Sequence, residues 1–145
     1  MSEQEKRLSP WMTAILTLAA VAIALSVLVN MHADAGLERA QVSEAVSLLG
    51  AAKEPLAAYF QERKKWPVKA AEAVAATSGK YTESIEITKG AGGTAAIELT
   101  ATMKTKEVKD AVAGKTVRLQ SSDGLTWTCL PGTVPAKYLP TACRS

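Results

Sequence analysis

The amino-acid sequence predicts an α+β protein of two layers: a long N-terminal helix, and a four-stranded antiparallel sheet covered by the helix's second half. Three observations carry this reading. No Asp, Glu, Lys or Arg occurs between Arg7 and Asp34, an uncharged and strongly apolar run. From Gly36 to Arg63 charge returns, yet apolar residues keep recurring at helical spacing. Beyond Ser84 the apolar period changes from near 3.6 to two, as in a strand with one buried face.

The helix is predicted from about Leu8 to about Arg63. Residues 1–8 form a polar segment, and Ser9-Pro10 reads as the start, with Ser at the cap and Pro at the first helical position. The run Trp11 to Val29 supplies the roughly 20 apolar residues needed to cross a hydrocarbon core about 30 Å thick. A helix satisfies its own backbone there, where no water can. Residues 9–35 are therefore the transmembrane half, with Trp11, Ile15, Leu18, Ile23 and Leu28 among its large apolar side chains. Lys6 and Arg7 precede the run, and Arg39 is the only Lys or Arg between it and Lys53. That bias places the N-terminus inside and the rest of the chain across the membrane. The alternative is a signal peptide cleaved after Ala33-Asp34-Ala35, but the apolar run is longer than such segments usually carry. The single histidine, His32, reads as an interfacial residue in preference to a pH sensor.

Residues 36–145 make up a head that includes the amphipathic half of the helix. Val42, Val46, Leu49, Leu56 and Phe60 recur at spacings of three, four or seven, and Ala45, Ala52 and Tyr59 widen the face that should pack on the sheet. Gly36 is the expected place for a bend and Pro55 for a kink. Arg63, Lys64 and Lys65 put positive charge at the helix C-terminus, where the dipole favours it, and Trp66-Pro67 reads as the stop.

An Ala-rich connection follows, Lys69 to Ala76, ending near Gly79. Four strands are then predicted: Ser84–Thr88, Ala95–Met103, Thr116–Gln120 and Leu125–Cys129. The turns between them are Gly90-Ala91-Gly92-Gly93, a charged crossing from Lys104 to Gly114 above Val108 and Val112, and Ser122-Asp123-Gly124. Alternation puts Ala95, Ile97, Leu99, Ala101 and Met103 on one face, while Glu83, Glu86 and Glu98 are expected on the solvated one. The tail from Leu130, with Pro135 and Pro140, should be irregular.

About 80 residues beyond the helix give a marginal core by themselves, so the helix has to complete it. The two cysteines, Cys129 and Cys143, lie beside an export-like segment, which predicts a disulfide and an oxidising compartment over two free thiols. A net charge of +3 is too small to argue for a polyanionic partner. Lys104, Lys106, Lys109, Lys115 and Arg118 form a candidate basic patch for nucleic acid. Ordinary solvated charge balanced by Glu98, Glu107 and Asp110 is the preferred reading, since no aromatic is interleaved to stack bases. No nucleophile–base pair, metal-ligand cluster or phosphate cradle can be assembled, so no enzyme activity and no cofactor or metal is expected.

Several stretches resemble a known family. Arg39-Ala40-Gln41-Val42-Ser43-Glu44-Ala45 resembles the stretch after the membrane part of the type IV pilin helix, and Trp66-Pro67 the aromatic-Pro pair that follows that helix. Trp127-Thr128-Cys129, Lys137-Tyr138-Leu139-Pro140 and Cys143-Arg144 resemble the C-terminal end of a type IVa major pilin. The resemblance covers residues 39–144. It implies the pilin fold, with the two cysteines bridging the so-called D-region loop and the apolar helices packed together in a filament. It also implies other pilin subunits, the assembly machinery and inner-membrane lipid as partners, with a role in adhesion, motility or uptake. The N-terminus departs from the family. Where pilins carry Gly at the cleavage site, Phe first and Glu fifth in the mature chain, this sequence has Ser9, Pro10 and Ala14, and Met31 stands in place of the usual kink-forming Pro. Two expectations follow: a filament subunit in the inner membrane and then the pilus, or a membrane-anchored pilin-like module that acts singly.

Overall fold

A computed structural model describes residues 9–144, with residues 32–35 described by their backbone alone. The polar segment with Lys6 and Arg7 and the side chains of His32 and Asp34 lie outside the described residues. The chain divides into two compact units, Met1–Ala35 and Gly36–Ser145. One helix, α1 (Pro10–Arg63), contributes to both. Four strands follow: β1 (Thr82–Lys89), β2 (Ile97–Met103), β3 (Thr116–Ser121) and β4 (Thr128–Pro131). They form one antiparallel sheet in sequence order. Gly36 and Pro55 both lie inside α1, which is helical throughout its length.

In the first unit, α1 starts at Pro10, where the ring's fixed φ suits the first turn. The Ser9 carbonyl accepts from Met12 and Thr13 N–H. The Ser9 hydroxyl makes no hydrogen bond among the described residues, so the expected side-chain cap is not formed. Thr13, Thr17 and Ser26 each donate their hydroxyl to the carbonyl three residues back, which leaves no free hydroxyl proton along the apolar run.

In the second unit, Val42, Ala45, Leu49, Ala52 and Leu56 of α1 are fully buried. Their spacing of three and four draws one stripe down the helix. Val46 and Phe60 are only half-buried, and the small Ala45 and Ala52 hold the centre of the stripe. Small residues there let the helix approach the sheet closely. The sheet face beneath it carries Ile85, Ile97, Leu99, Ala101, Met103, Val117 and Leu119, all buried. Cross-strand register stacks Ile87, Leu99, Leu119 and Cys129 in one row and Ile85, Ala101, Val117 and Pro131 in the next. Val112, from the β2–β3 connection, is also fully buried, whereas Val108 is half-buried.

Helix α1 ends at Arg63, and Lys64 adopts a left-handed φ of 56° while its N–H donates to the Phe60 carbonyl. A side chain with a Cβ is strained in that conformation, which glycine adopts freely. Lys64→Gly is therefore expected to stabilise the second unit by about 0.5–1 kcal/mol, readable as a raised melting temperature.

Trp66 does more than stop the helix. It is fully buried, stacks on Phe60 with centroids 4.1 Å apart, and meets the edge of Trp127 at 6.2 Å. Its indole N–H donates to the Ala95 carbonyl and its backbone N–H to the Gly93 carbonyl. The β1–β2 turn is thus fastened to the end of α1. Gly90, at φ 78°, makes that turn possible, since a Cβ there would lie 2.0 Å from the Ala96 carbonyl oxygen.

All four strands differ from the sequence prediction by one to three residues at one end or both, with β1 at Thr82–Lys89 and β3 reaching Ser121, and two of the differences have visible causes. Strand β2 begins at Ile97, and Ala95 is exposed, its carbonyl turned to Trp66. Strand β4 runs Thr128–Pro131, not Leu125–Cys129. Asp123 Oδ1 accepts from Leu125 and Thr126 N–H at 2.8 and 2.7 Å, and Ser121 Oγ accepts from Gly124 N–H at 2.9 Å. Amides held in that side-chain turn are not available to a sheet ladder.

Candidate assembly site

Large apolar side chains of a folded chain are ordinarily turned inward, so a long exposed run marks a surface that something else covers. Trp11, Ile15, Leu18, Ile23 and Leu28 are each more than half exposed. An 18-residue window of this part of α1 has a mean hydropathy of 2.5, and none of it is buried among the described residues. By length and composition it is able to cross a membrane.

The head is fastened internally by polar devices on which the sequence pattern is silent or misleading. Glu44 of α1 reaches the segment before β1. Its Oε1 accepts from Lys80 N–H at 2.7 Å, and its Oε2 accepts from Tyr81 N–H at 2.7 Å and the Thr82 hydroxyl at 3.1 Å. A Cβ on Gly79 would lie 2.8 Å from the Glu44 carboxyl carbon, so glycine makes room for the carboxylate. Burial alone would raise the Glu44 pKa, but the hydrogen bonds from Tyr81, Lys80 and Thr82 outweigh it and hold the group below the ordinary value of 4.5. Its stabilising effect is therefore complete above that value and is lost as pH falls through the lower folded value. Glu44→Gln should cost about 1–2 kcal/mol at neutral pH. Acid titrations followed by circular dichroism should show the unaltered chain losing its advantage over the variant once pH drops below 4.5.

Glu98 is a correction to the sequence reading. It lies on the outer face of the sheet, yet it is only 6% exposed. Lys89 and Arg118 both reach its Oε2 at 3.2 Å, and the Thr88 hydroxyl reaches its Oε1. Arg118 also donates to the Pro131 carbonyl, so its guanidinium links three strands across the sheet. The five residues of the candidate basic patch are thus not equivalent. Lys104, Lys106, Lys109 and Lys115 belong to the β2–β3 connection, whereas Arg118 is committed to Glu98. Lys109 contributes through its backbone N–H, which donates to Gln41 Oε1 at 2.9 Å. Gln41 and its neighbour Glu38 are buried at the start of the helical stripe, a polar beginning that the apolar spacing does not signal.

Cys129 of β4 and Cys143 are joined by a disulfide, with Cα atoms 4.7 Å apart. The bridge fixes a C-terminal segment of two 3₁₀ turns, Ala136–Tyr138 and Thr141–Cys143. Val134, Tyr138, Leu139 and Cys143 are buried beneath it.

A fully exposed apolar helix half, a helix laid on a four-stranded meander and a disulfide-closed C-terminal loop coincide with a family match over residues 38–144, to the pilins of bacterial filaments. The chain belongs to the pilin family. It is 35% identical over 136 residues to the fimbrial protein EcpC of Eikenella corrodens, covering 90% of this chain and 86% of that protein. A fimbrial protein of Neisseria meningitidis serogroup A is 31% identical over 122 residues, covering 79% of this chain and 67% of the relative. The type IV major pilin protein PilE1 of Neisseria gonorrhoeae is 27% identical over 154 aligned positions, covering 90% and 88% respectively. The pilin is a structural subunit of a bacterial pilus. Its family is structural and assembles into filaments of pilin subunits, and its apolar helix suits a membrane anchor.

Proposed function

We propose that this pilin is the filament-building subunit of a type IV pilus and has no catalytic role. Residues 9–35 anchor it in the inner membrane, and residues 36–145 form a head on the periplasmic side. Assembly machinery then transfers the apolar half of α1 from lipid into a filament core. The observation that carries this reading is the contrast in burial between the two units. The head closes its own core, while the described apolar side chains of the first half of α1 are exposed. Lipid and the helices of other copies are the two solvents that can cover such a surface, and exchange between them costs little because both are apolar. Trp11, Ile15, Leu18, Ile23 and Leu28 supply the contact in both settings. On this reading Val42, Val46, Leu49, Leu56 and Phe60 tie helix to head, with Cys129–Cys143 closing the exposed loop.

One observation favours a second reading. Ser9, Pro10 and Ala14 stand where pilins carry Gly, Phe and Glu, which speaks for an anchored pilin-like module that works singly. A role in binding DNA through the head lysines belongs to that reading and is the weaker of the two. Mass spectrometry of the mature N-terminus, together with electron microscopy of sheared surface filaments, separates them. Filaments containing this chain and a Leu18→Lys variant that stays in the membrane and forms none would support the first reading. A chain found only in the membrane fraction would overturn it.

A further inference from the structure

The C-terminal segment and α1 enclose an open cavity of about 270 Å³ lined by Arg39, Ser43, Tyr138, Thr141 and Arg144, among others. Among the described residues no carboxylate lines it. The two arginines are placed alike. Arg39 Nε donates to the Lys137 carbonyl at 2.9 Å, and Arg144 Nε donates to the Leu139 carbonyl at 2.9 Å. Each guanidinium is therefore held at its root by the same short segment, and its terminal nitrogens bond no protein acceptor among the described residues. Lys137 does not line the cavity; its ammonium lies 4.8 Å from the centre of the Tyr138 ring. Ser43 and Thr141, both exposed, also line the cavity.

Two guanidinium groups anchored on one short segment, with their terminal nitrogens bonded to no described acceptor, present charge-assisted donors to one cavity, a set that suits an anion. From this we infer that the pocket is a binding site for a phosphate group. A carboxylate has two oxygens and is satisfied by one arginine fork, whereas a phosphate offers enough acceptors for two forks and a hydroxyl together. The pocket is separate from the Lys104–Lys115 connection and needs none of its lysines. Two sources share the chemistry: free inorganic phosphate and the headgroup of a phospholipid.

The test uses the full chain in maltoside micelles, which contain no phosphate. Inorganic phosphate is titrated at constant ionic strength while the Nε–H resonances of Arg39 and Arg144 are followed. Saturable shifts of both are expected. Arg39→Gln and Arg144→Gln should each weaken binding about tenfold or more, and Lys106→Gln should leave it unchanged. Arg39→Lys and Arg144→Lys keep the charge but lose the fork. They should also weaken binding, with unshifted Thr133 and Val134 amide resonances, whose bonds to the Thr116 carbonyl are remote from the substitutions, showing that the C-terminal segment still lies on the sheet. Repeating the titration in phosphatidylglycerol nanodiscs distinguishes the sources. Resonances already at their bound positions and insensitive to added phosphate point to the headgroup; an unchanged titration points to the free ion. Shifts that grow linearly without saturating, equally in the Lys106→Gln and Arg39→Gln chains, would overturn the site. So would arginine resonances that respond to protein concentration and not to phosphate, because an acidic side chain of a second copy would then be the occupant.

Discussion

Replacing Trp66 with alanine is expected to destabilise the head by about 3–5 kcal/mol, the largest loss from any single side chain considered. The indole is fully buried and is the largest side chain in the core. Its removal leaves a cavity between Phe60, which stacks on it, and Trp127, which meets its edge. It also strips the Ala95 carbonyl of its donor at the point where the β1–β2 turn is fastened to the end of α1. Thermal unfolding of the full chain in detergent should show a fall of about 10 °C or more for the unit that contains the sheet. Helical signal from the apolar half should persist through that transition. A Trp66→Phe variant, which keeps most of the volume and the stacking, should recover much of the loss. A Trp66→Ala chain that melts with the parent would mean the aromatic cluster is not a structural centre.

Removing the disulfide, by Cys129→Ser with Cys143→Ser, is expected to cost about 3 kcal/mol. The cysteines are 14 positions apart, and a loop of that size loses substantial freedom in the unfolded chain when it is closed. The folded chain depends on the closure as well. Val134, Tyr138 and Leu139 are buried only while the C-terminal segment lies against the head, and two 3₁₀ turns cannot hold it there alone. Urea unfolding under oxidising and reducing conditions should differ by this amount in the parent and by nothing in the double variant. Proteolysis in reductant should begin in the segment after Pro131.

Much of the fold was legible because its two periods are clean. The helix from Pro10 to Arg63 follows from an uncharged run joined to a stripe at spacings of three and four, and strands β1 to β3 follow from alternation. The parts that escaped have identifiable causes. Strand β4 begins three residues later than its residues suggest, because Asp123 and Ser121 draw the amides of Gly124, Leu125 and Thr126 into a side-chain turn. Glu98 alternates like a solvated residue, but two long cationic side chains and Thr88 close over it, and no local pattern encodes such a cover. Glu44 finds its partners 36 to 38 positions away, so its role as a clasp has no signature in the helix where it sits. Trp66 was read from its place beside Pro67 as punctuation, when its size and burial make it part of the core. The paired arginines around Tyr138 likewise meet only once α1 and the C-terminal segment are brought together.

The two borders of the sheet bear on how such subunits can live crowded together. Along the free side of β1, the Thr77 carbonyl takes the amide of Ile85 and Gly79 donates to the Thr82 carbonyl, so part of that margin is already occupied. At the opposite side β4 is only four residues long, ends in Pro131 and is covalently tied to the tail through Cys129. Unpaired strand margins invite neighbouring chains to zip on, and packing many copies side by side would multiply that hazard. On the assembly proposed above, blunting both margins leaves the greasy half of α1 as the adhesive surface, so the heads would be crowded along a fibre without fusing into amyloid-like ribbons.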